Sequence, residues 1–343
     1  MPDVRAPKVS REQILAFRRR TQSLDQRLPS GPDSLRRAAA PGLQDSVPRS
    51  ALHALHARVT SVPPNAWEDP ALAQVWGPRY TAYVVPAGEH LPFTLARMPE
   101  RGRLRARAED LAARLHQHLA GRRLPMDPVG EALGVHPNSL RYAALTGTVL
   151  IRWAGARQPT VWTVPHADVT PAQALQELAR RYLHYSGPST VDAFVRWGGI
   201  EATAATAAFD AIASLLTVRT PLGEAQLLAE DEPILRGPAG TPASARLLPS
   251  GDPYYLLWNA DRDLLVPDPA RRDELWTSRV WPGALLVGGE VAGTWRRARA
   301  NVIVSPWRRL SAGERAAVEQ EAATLPLPEI DATPSVTWPA AGF

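Results

Sequence analysis

Arg49, His53 and His56 recur at i, i+4 and i+7 along the stretch that runs to Val59. At about 100° per residue they share one helix face, while Leu52, Leu55 and Val59 share another. A cation and two imidazoles on one face suit contact with an anionic, hydrogen-bonding ligand; the same pattern also fits an ordinary solvated face. Asn138, Ser139, Arg141 and Tyr142 lie together on a second predicted helix, and Arg152 and Arg157 follow on a predicted hairpin. These residue types touch phosphates and base edges. Near the C-terminus, Trp295-Arg296-Arg297 and Pro306-Trp307-Arg308-Arg309 interleave ring and cation. Such runs either neutralise a phosphate backbone or bury the tryptophan and leave the arginines in water.

Other chemistries leave no trace. A Gly-rich phosphate loop with its Lys-Ser/Thr, a Gly-x-Ser-x-Gly elbow and a His-Glu-x-x-His motif are all missing. The pairs His53/His56 and His116/His118 lack carboxylates at matching helical spacing, so neither metal nor cofactor is expected. With no cysteine there are no disulfides, thiolate nucleophiles or zinc-thiolate sites. The 343 residues are 45% hydrophobic and 21% charged, ordinary globular usage, and the length suggests two to four folding units. The net charge is +5, and all basic residues but Lys8 are arginine. Arginine stays charged and forks onto phosphate or guanine edges. The polar N-terminus and the lack of a run of about 20 apolar residues point to a cytoplasmic protein.

The elements that position these residues follow from breakers and caps. Helices are predicted over 11–28, with a cationic Arg18-Arg19-Arg20 face, over 33–39, and from Pro48 to Val59; a strand covers Tyr80 to Val85. From about 105 a helix, a helix ending at Leu133-Gly134, a helix from Pro137 to Leu145 and two strands (Thr148 to Trp153, Thr160 to Val164) give helix, helix-turn-helix, hairpin. That is the order of a winged helix. The pattern recurs from Thr170, with Trp197-Gly198-Gly199-Ile200 as the second turn. There the last helix, Glu201 to Leu215, is acidic and alanine-rich, so it is expected to pack inward as a brace. Gly237 to Ser244 is a linker, followed by strands at 254–258, 285–287, 291–295 and 301–304, a helix capped by Ser311, and a loose tail. The expected fold is mainly α with small β-sheets: tandem winged-helix units over 1–104, 105–167 and 168–236, a β-barrel-like module with a terminal helix over 237–327, and a tail over 328–343.

Three stretches carry a family resemblance: Gly42-Leu43-Gln44-Asp45-Ser46-Val47-Pro48-Arg49; Arg181-Tyr182-Leu183 with Gly187-Pro188-Ser189 and Arg196-Trp197-Gly198-Gly199; and Arg246 to Tyr254 continuing to Gly289 and Gly293-Thr294-Trp295-Arg296. In that order the chain resembles the bacterial winged-helix DNA glycosylases of the AlkZ/YcaQ type. The resemblance implies tandem winged helices curved around DNA, with excision of alkylated bases and, in some members, unhooking of interstrand crosslinks. It also implies a catalytic Gln-x-Gln or Gln-x-Asp before the third helix. Gln44 fills the first slot, Ser46 the third, and Asp45 the middle one, where the family has an apolar residue.

A lyase needs an amine nucleophile, and Lys8 is the only lysine. A monofunctional enzyme using water is the consistent option: Gln44 orients the water and Asp45 stabilises the sugar cation, if both face the sugar; otherwise Asp45 or Ser46 only caps the following helix. The candidate site is therefore Gln44, Asp45 and Ser46 for chemistry, and Arg49, His53, His56, Asn138, Arg141, Tyr142, Arg152, Arg157, Arg296 and Arg297 for DNA. The expected partner is damaged double-stranded DNA, bound by a monomer associated with the nucleoid. The alternatives are a non-catalytic winged-helix protein that senses or shields damage, and a transcription regulator.

Overall fold

The computed structural model describes residues 6–47, 49–153, 158–328, 330 and 332–339. α1 (Arg11–Thr21) starts at a capping box: the Ser10 hydroxyl accepts from the Gln13 N–H, and the Gln13 side chain accepts from the Ser10 N–H. It is shorter than 11–28, and its arginines do not form a solvent face. Arg18 is buried and donates to Asp261 and to the Gly187 and Pro188 carbonyls; Arg19 pairs with Asp25 and donates to the Gly289 carbonyl. α1 is thus a central post whose cations tie remote segments together.

α2 (Pro32–Ala39) ends at Pro41-Gly42, and β1 (Leu43–Gln44) leads toward α3 (Ser50–Arg58). β2 (Leu72–Trp76), β3 (Ala82–Pro86) and the short α4 (Leu91–Thr94) follow. Next come α5 (Arg103–Leu119), β4 (Leu124–Pro125) and α6 (Met126–Ala132). The expected helix after Pro137 is a 3-10 segment, Pro137–Thr146, followed by the hairpin β5 (Val149–Arg152) and β6 (Thr160–Thr163). These strands form one six-stranded sheet in the order β1-β3-β2-β5-β6-β4, joined at Gln74 opposite Ile151.

α7 (Pro171–Ser186) carries a second capping box at Thr170, and α8 (Val191–Gly198) is capped by Thr190 rather than Ser189. α9 (Ala202–Asp210) is capped by Glu201 and does not pack inside. It buries only Ala205, Ala208 and Phe209 and shows its polar side to solvent. β7 (Leu215–Thr220) and β8 (Gly223–Leu228) make a separate hairpin, to which Lys8 adds a bridge through Arg219. α10 (Glu232–Arg236) closes this part.

The remainder holds β9 (Ala245–Leu248), α11 (Ala260–Leu265), α12 (Pro269–Leu275), β10 (Gly283–Val287), β11 (Glu290–Ala298), β12 (Asn301–Pro306), α13 (Ala312–Ala323) and β13 (Ser335–Thr337). The sheet order is β13-β12-β11-β10-β9, and the turn at Gly288-Gly289 has φ +58° and +83°. Two expectations fail here. Residues 254–258 are a buried turn rather than a strand, because the Asp252 carboxylate and carbonyl take the N–H groups of Tyr254, Tyr255 and Leu256. The described part of the tail is not loose: β13 pairs in parallel with β12, and the Trp338 indole donates to Glu319. The whole is a mixed α/β protein rather than a mainly α one.

Candidate functional site

The site begins where β1 runs antiparallel to β3, with Gln44 opposite Tyr83. Alternation along extended chain decides which side chains show. Leu43 points into the core, Gln44 points out, and Asp45 turns back in. The Asp45 N–H donates to the Ala82 carbonyl (2.8 Å), and its carboxylate accepts from the Ala51 N–H (3.1 Å) and from the Gln74 carboxamide (2.9 Å). Asp45 is 2% exposed. It caps α3, since the residue at the N-cap, Arg49, has φ +69° and makes no side-chain cap hydrogen bond. Burial pushes its carboxyl up to about 7. The expectation that Gln44 and Asp45 face a sugar together is therefore corrected: Gln44 and Ser46 emerge on one side, Asp45 on the other. The Gln44 amide donates to the Ser46 hydroxyl at 2.7 Å.

Gln44 and Ser46 line a cavity of about 280 Å³ with Arg79, Tyr83, Trp197, Gly251, Trp258 and Arg279. Gly251, at φ +74°, lies so close that a Cβ there would stand 2.8 Å from the Gln44 Oε1. Its place is fixed by the next residue. Asp252 is gripped from the C-terminal end of α3 by Arg58, at 2.7 and 2.8 Å, and both side chains are 0% exposed. Arg58 also donates to Gln22 and to the Ala54 carbonyl. Across the cavity the Arg79 guanidinium stacks over the Trp258 ring (4.4 Å) and donates to the Arg196 and Trp197 carbonyls. Arg279 is exposed at the mouth.

Other candidates divide. Arg49 lies over the Trp67 ring at 3.7 Å and donates to the Trp153 carbonyl, and Arg152 approaches the same ring at 5.7 Å. His53 and His56 do not face a ligand: they are 5% and 2% exposed. Their side of α3 packs against the C-terminal module, His53 beside Trp295 and His56 hydrogen-bonded to Thr324 near Arg27. Burial first, and Arg297 second, push His53 down to about 3; burial and Arg27 push His56 down to about 2. Both imidazoles are neutral at pH 7, which also removes them as phosphate contacts.

Asn138 and Arg141 line a second cavity, of about 320 Å³, with Ser46, Trp76, Tyr80 and Trp153. Tyr142 is half-buried, its ring edge-on to Tyr80 at 5.1 Å and covered by Arg107. Arg157 lies outside the described residues. Arg296 is exposed and donates to the Val280 carbonyl at the rim of the first cavity; Arg297 is half-buried and donates to the Arg299 carbonyl. Trp295 is buried, its indole donating to the Leu248 carbonyl, so its role is packing.

Sequence reasoning missed Arg79, Trp258 and Arg279, which no local pattern singles out. Gly251 lay within a stretch that carried the family resemblance. Among the described residues no group of three or more His, Asp or Glu could hold a metal, and no helix is long and apolar enough to cross a membrane.

The fold defines the class. It matches the solved structure of Streptomyces sahachiroi DNA glycosylase AlkZ with a TM-score of 0.80, over 96% of this chain and 100% of that one. At 20% identity this is a likeness of fold. The chain belongs to the AlkZ-like DNA glycosylase family, whose sequence model matches residues 35–326. No curated protein matches it.

Proposed function

We propose that the protein is a monofunctional DNA N-glycosylase that hydrolyses the glycosidic bond of alkylated bases in double-stranded DNA, crosslinked ones included. It acts as a monomer on nucleoid DNA. Residues 105–167 and 168–236 serve as winged-helix units that hold the duplex. The observation that carries the reading is the Gln44–Ser46 pair, 2.7 Å apart, on the wall of an arginine-flanked cavity.

An N7-alkylated purine is already cationic, so when its glycosidic bond breaks the bonding electrons neutralise the ring and no acid is needed. What remains is to place a water at C1′ and to stabilise the positive sugar. The Gln44 amide N–H is committed to Ser46, which aims Oε1 along Gly251; among the described residues no protein donor reaches that oxygen. Oε1 can accept from the water, and the Ser46 O–H remains a donor. The attacking water passes its proton to solvent. Arg79 and Arg279 flank the cavity where backbone phosphates would approach. Lys8 is bridged to Arg219 and is not among the residues lining the cavity, which supports hydrolysis over Schiff-base chemistry.

The test is single-turnover incubation with duplex carrying N7-alkylguanine, scored for abasic sites. Base release without strand scission is expected. If no base is released from any alkylated duplex, the binding-protein reading replaces this one.

A further inference from the structure

The cavity beside Gln44 does not stand alone. Ser46 and Thr81 line both it and the second cavity, so the two are neighbours across a shared ridge. The turn before Thr81 serves both: Arg79 lines the first cavity and Tyr80 the second, and both residues have positive φ, +55° and +59°. Consecutive left-handed conformations in bulky residues are uncommon, and here they splay two adjacent side chains into two separate cavities.

The second cavity has two kinds of wall. Trp76, Tyr80 and Trp153 present rings; Asn138 and Arg141 present polar groups. Arg141 makes no hydrogen bond or ion pair among the described residues, and its buried Nε has no acceptor. Its guanidinium lies near the Tyr80 and Tyr142 rings, at 5.7 and 5.8 Å. A phosphate would use the cation and ignore the rings. A nucleobase uses both, stacking on aromatic faces and giving its acceptors to arginine or asparagine. At about 320 Å³ the cavity falls in the range of small planar-ligand sites.

We propose that this second cavity receives a nucleobase of the DNA, so that the protein holds two bases at once, the lesion beside Gln44 and a second, unmodified base in the cavity that Tyr80 and Arg141 line. The inference rests on the glycosylase reading for what fills the first cavity.

Binding, not excision, is the readout, using duplexes whose N7-methylguanine carries a 2′-fluorine so that the glycosidic bond survives. Four duplexes are compared: one complete, and three with a tetrahydrofuran abasic unit opposite the lesion, on its 5′ side or on its 3′ side. The proteins are wild type, Arg141→Gln and Tyr80→Gly; glycine tolerates the positive φ, and thermal melting confirms each fold. Each variant is expected to bind the complete duplex about tenfold more weakly, the scale of one lost base stack. That penalty should vanish on the one duplex that lacks the base occupying the cavity. An equal penalty on all four duplexes, the mark of a phosphate contact, overturns the proposal, as does no penalty on the complete duplex. Failure of the glycosylase reading shows up separately, as absence of abasic product in the excision assay.

Discussion

The two ends of α3 each hold a buried carboxylate, and they hold it in opposite ways. At the N-terminal end Asp45 accepts from backbone N–H groups and a carboxamide, with the Arg49 charge nearby, and burial still pushes its carboxyl up to about 7. At the C-terminal end Asp252 lies in a two-pronged pair with Arg58. The difference separates two tasks. The C-terminal end is a frame that pins Gly251 against Gln44 at the cost of burying two charges. The N-terminal end is a loop held mainly by backbone and carboxamide donors, with no ion pair on Asp45 among the described residues, and it presents Gln44 and Ser46 to the cavity.

The largest effect should come from breaking the frame. Asp252→Ala leaves the Arg58 cation buried without a counter-ion and should cost about 3–5 kcal/mol in chemical unfolding. A loss under about 1 kcal/mol would mean that the C-terminal end is no more a frame than the other. Gln44→Ala tests the opposite end. Base excision should fall ~10²-fold in single turnover, the scale of one preorganised contact, with melting temperature and lesion binding nearly unchanged. A drop in melting temperature instead would make Gln44 a packing residue.

Asp45 sharpens the contrast through pH. Its folded-state pKa, about 7, exceeds the ordinary 3.8, so the folded state holds the proton more tightly. The stability this gives is full below pH 3.8 and is lost as pH rises through about 7. In thermal melts from pH 4 to 8, wild type should decline relative to Asp45→Asn, which has no proton to lose. A parallel pair of curves would mean that the Arg49 charge outweighs the burial and keeps the carboxylate ionised throughout. The smallest effect is expected for Ser46→Ala. Losing one neutral hydrogen bond, worth ~1 kcal/mol, should slow excision a few-fold and leave stability alone.

Local punctuation made much of the fold legible. Thr170 and Ser311 cap helices through side-chain oxygens, and Gly288-Gly289 turns a hairpin, because these effects act within four residues. α12 escaped although its signal was present: Asp268-Pro269 is a cap followed by a first-turn proline. The apolar run Tyr254 to Trp258 misled, since a buried turn and a buried strand are equally apolar; the Tyr255 hydroxyl reaching the Pro249 and Pro282 carbonyls settles which it is. At the site, Gln44 and Ser46 lie on the wall of the first cavity, and of the two readings of Asp45 the capping one matches its geometry. The choice turned on whether the segment is a turn or extended chain, and pairing of β1 with β3 makes it extended, so neighbours alternate. His53 and His56 show the limit of a helical wheel. It finds a polar face, yet only the distant residues Trp295 and Thr324 decide that the face is dry.

The six-stranded sheet has a mechanical consequence. β2 and β5 meet in it although about seventy-five residues of chain separate Gln74 from Ile151, and the Gln74 carboxamide adds a second fastening by accepting from the Trp153 N–H while donating to Asp45. The pieces on either side of residue 104 are stitched edge to edge rather than strung like beads. A cut in the connecting chain would leave them joined. Because the seam is part of one sheet, these two stretches should unfold as one cooperative unit.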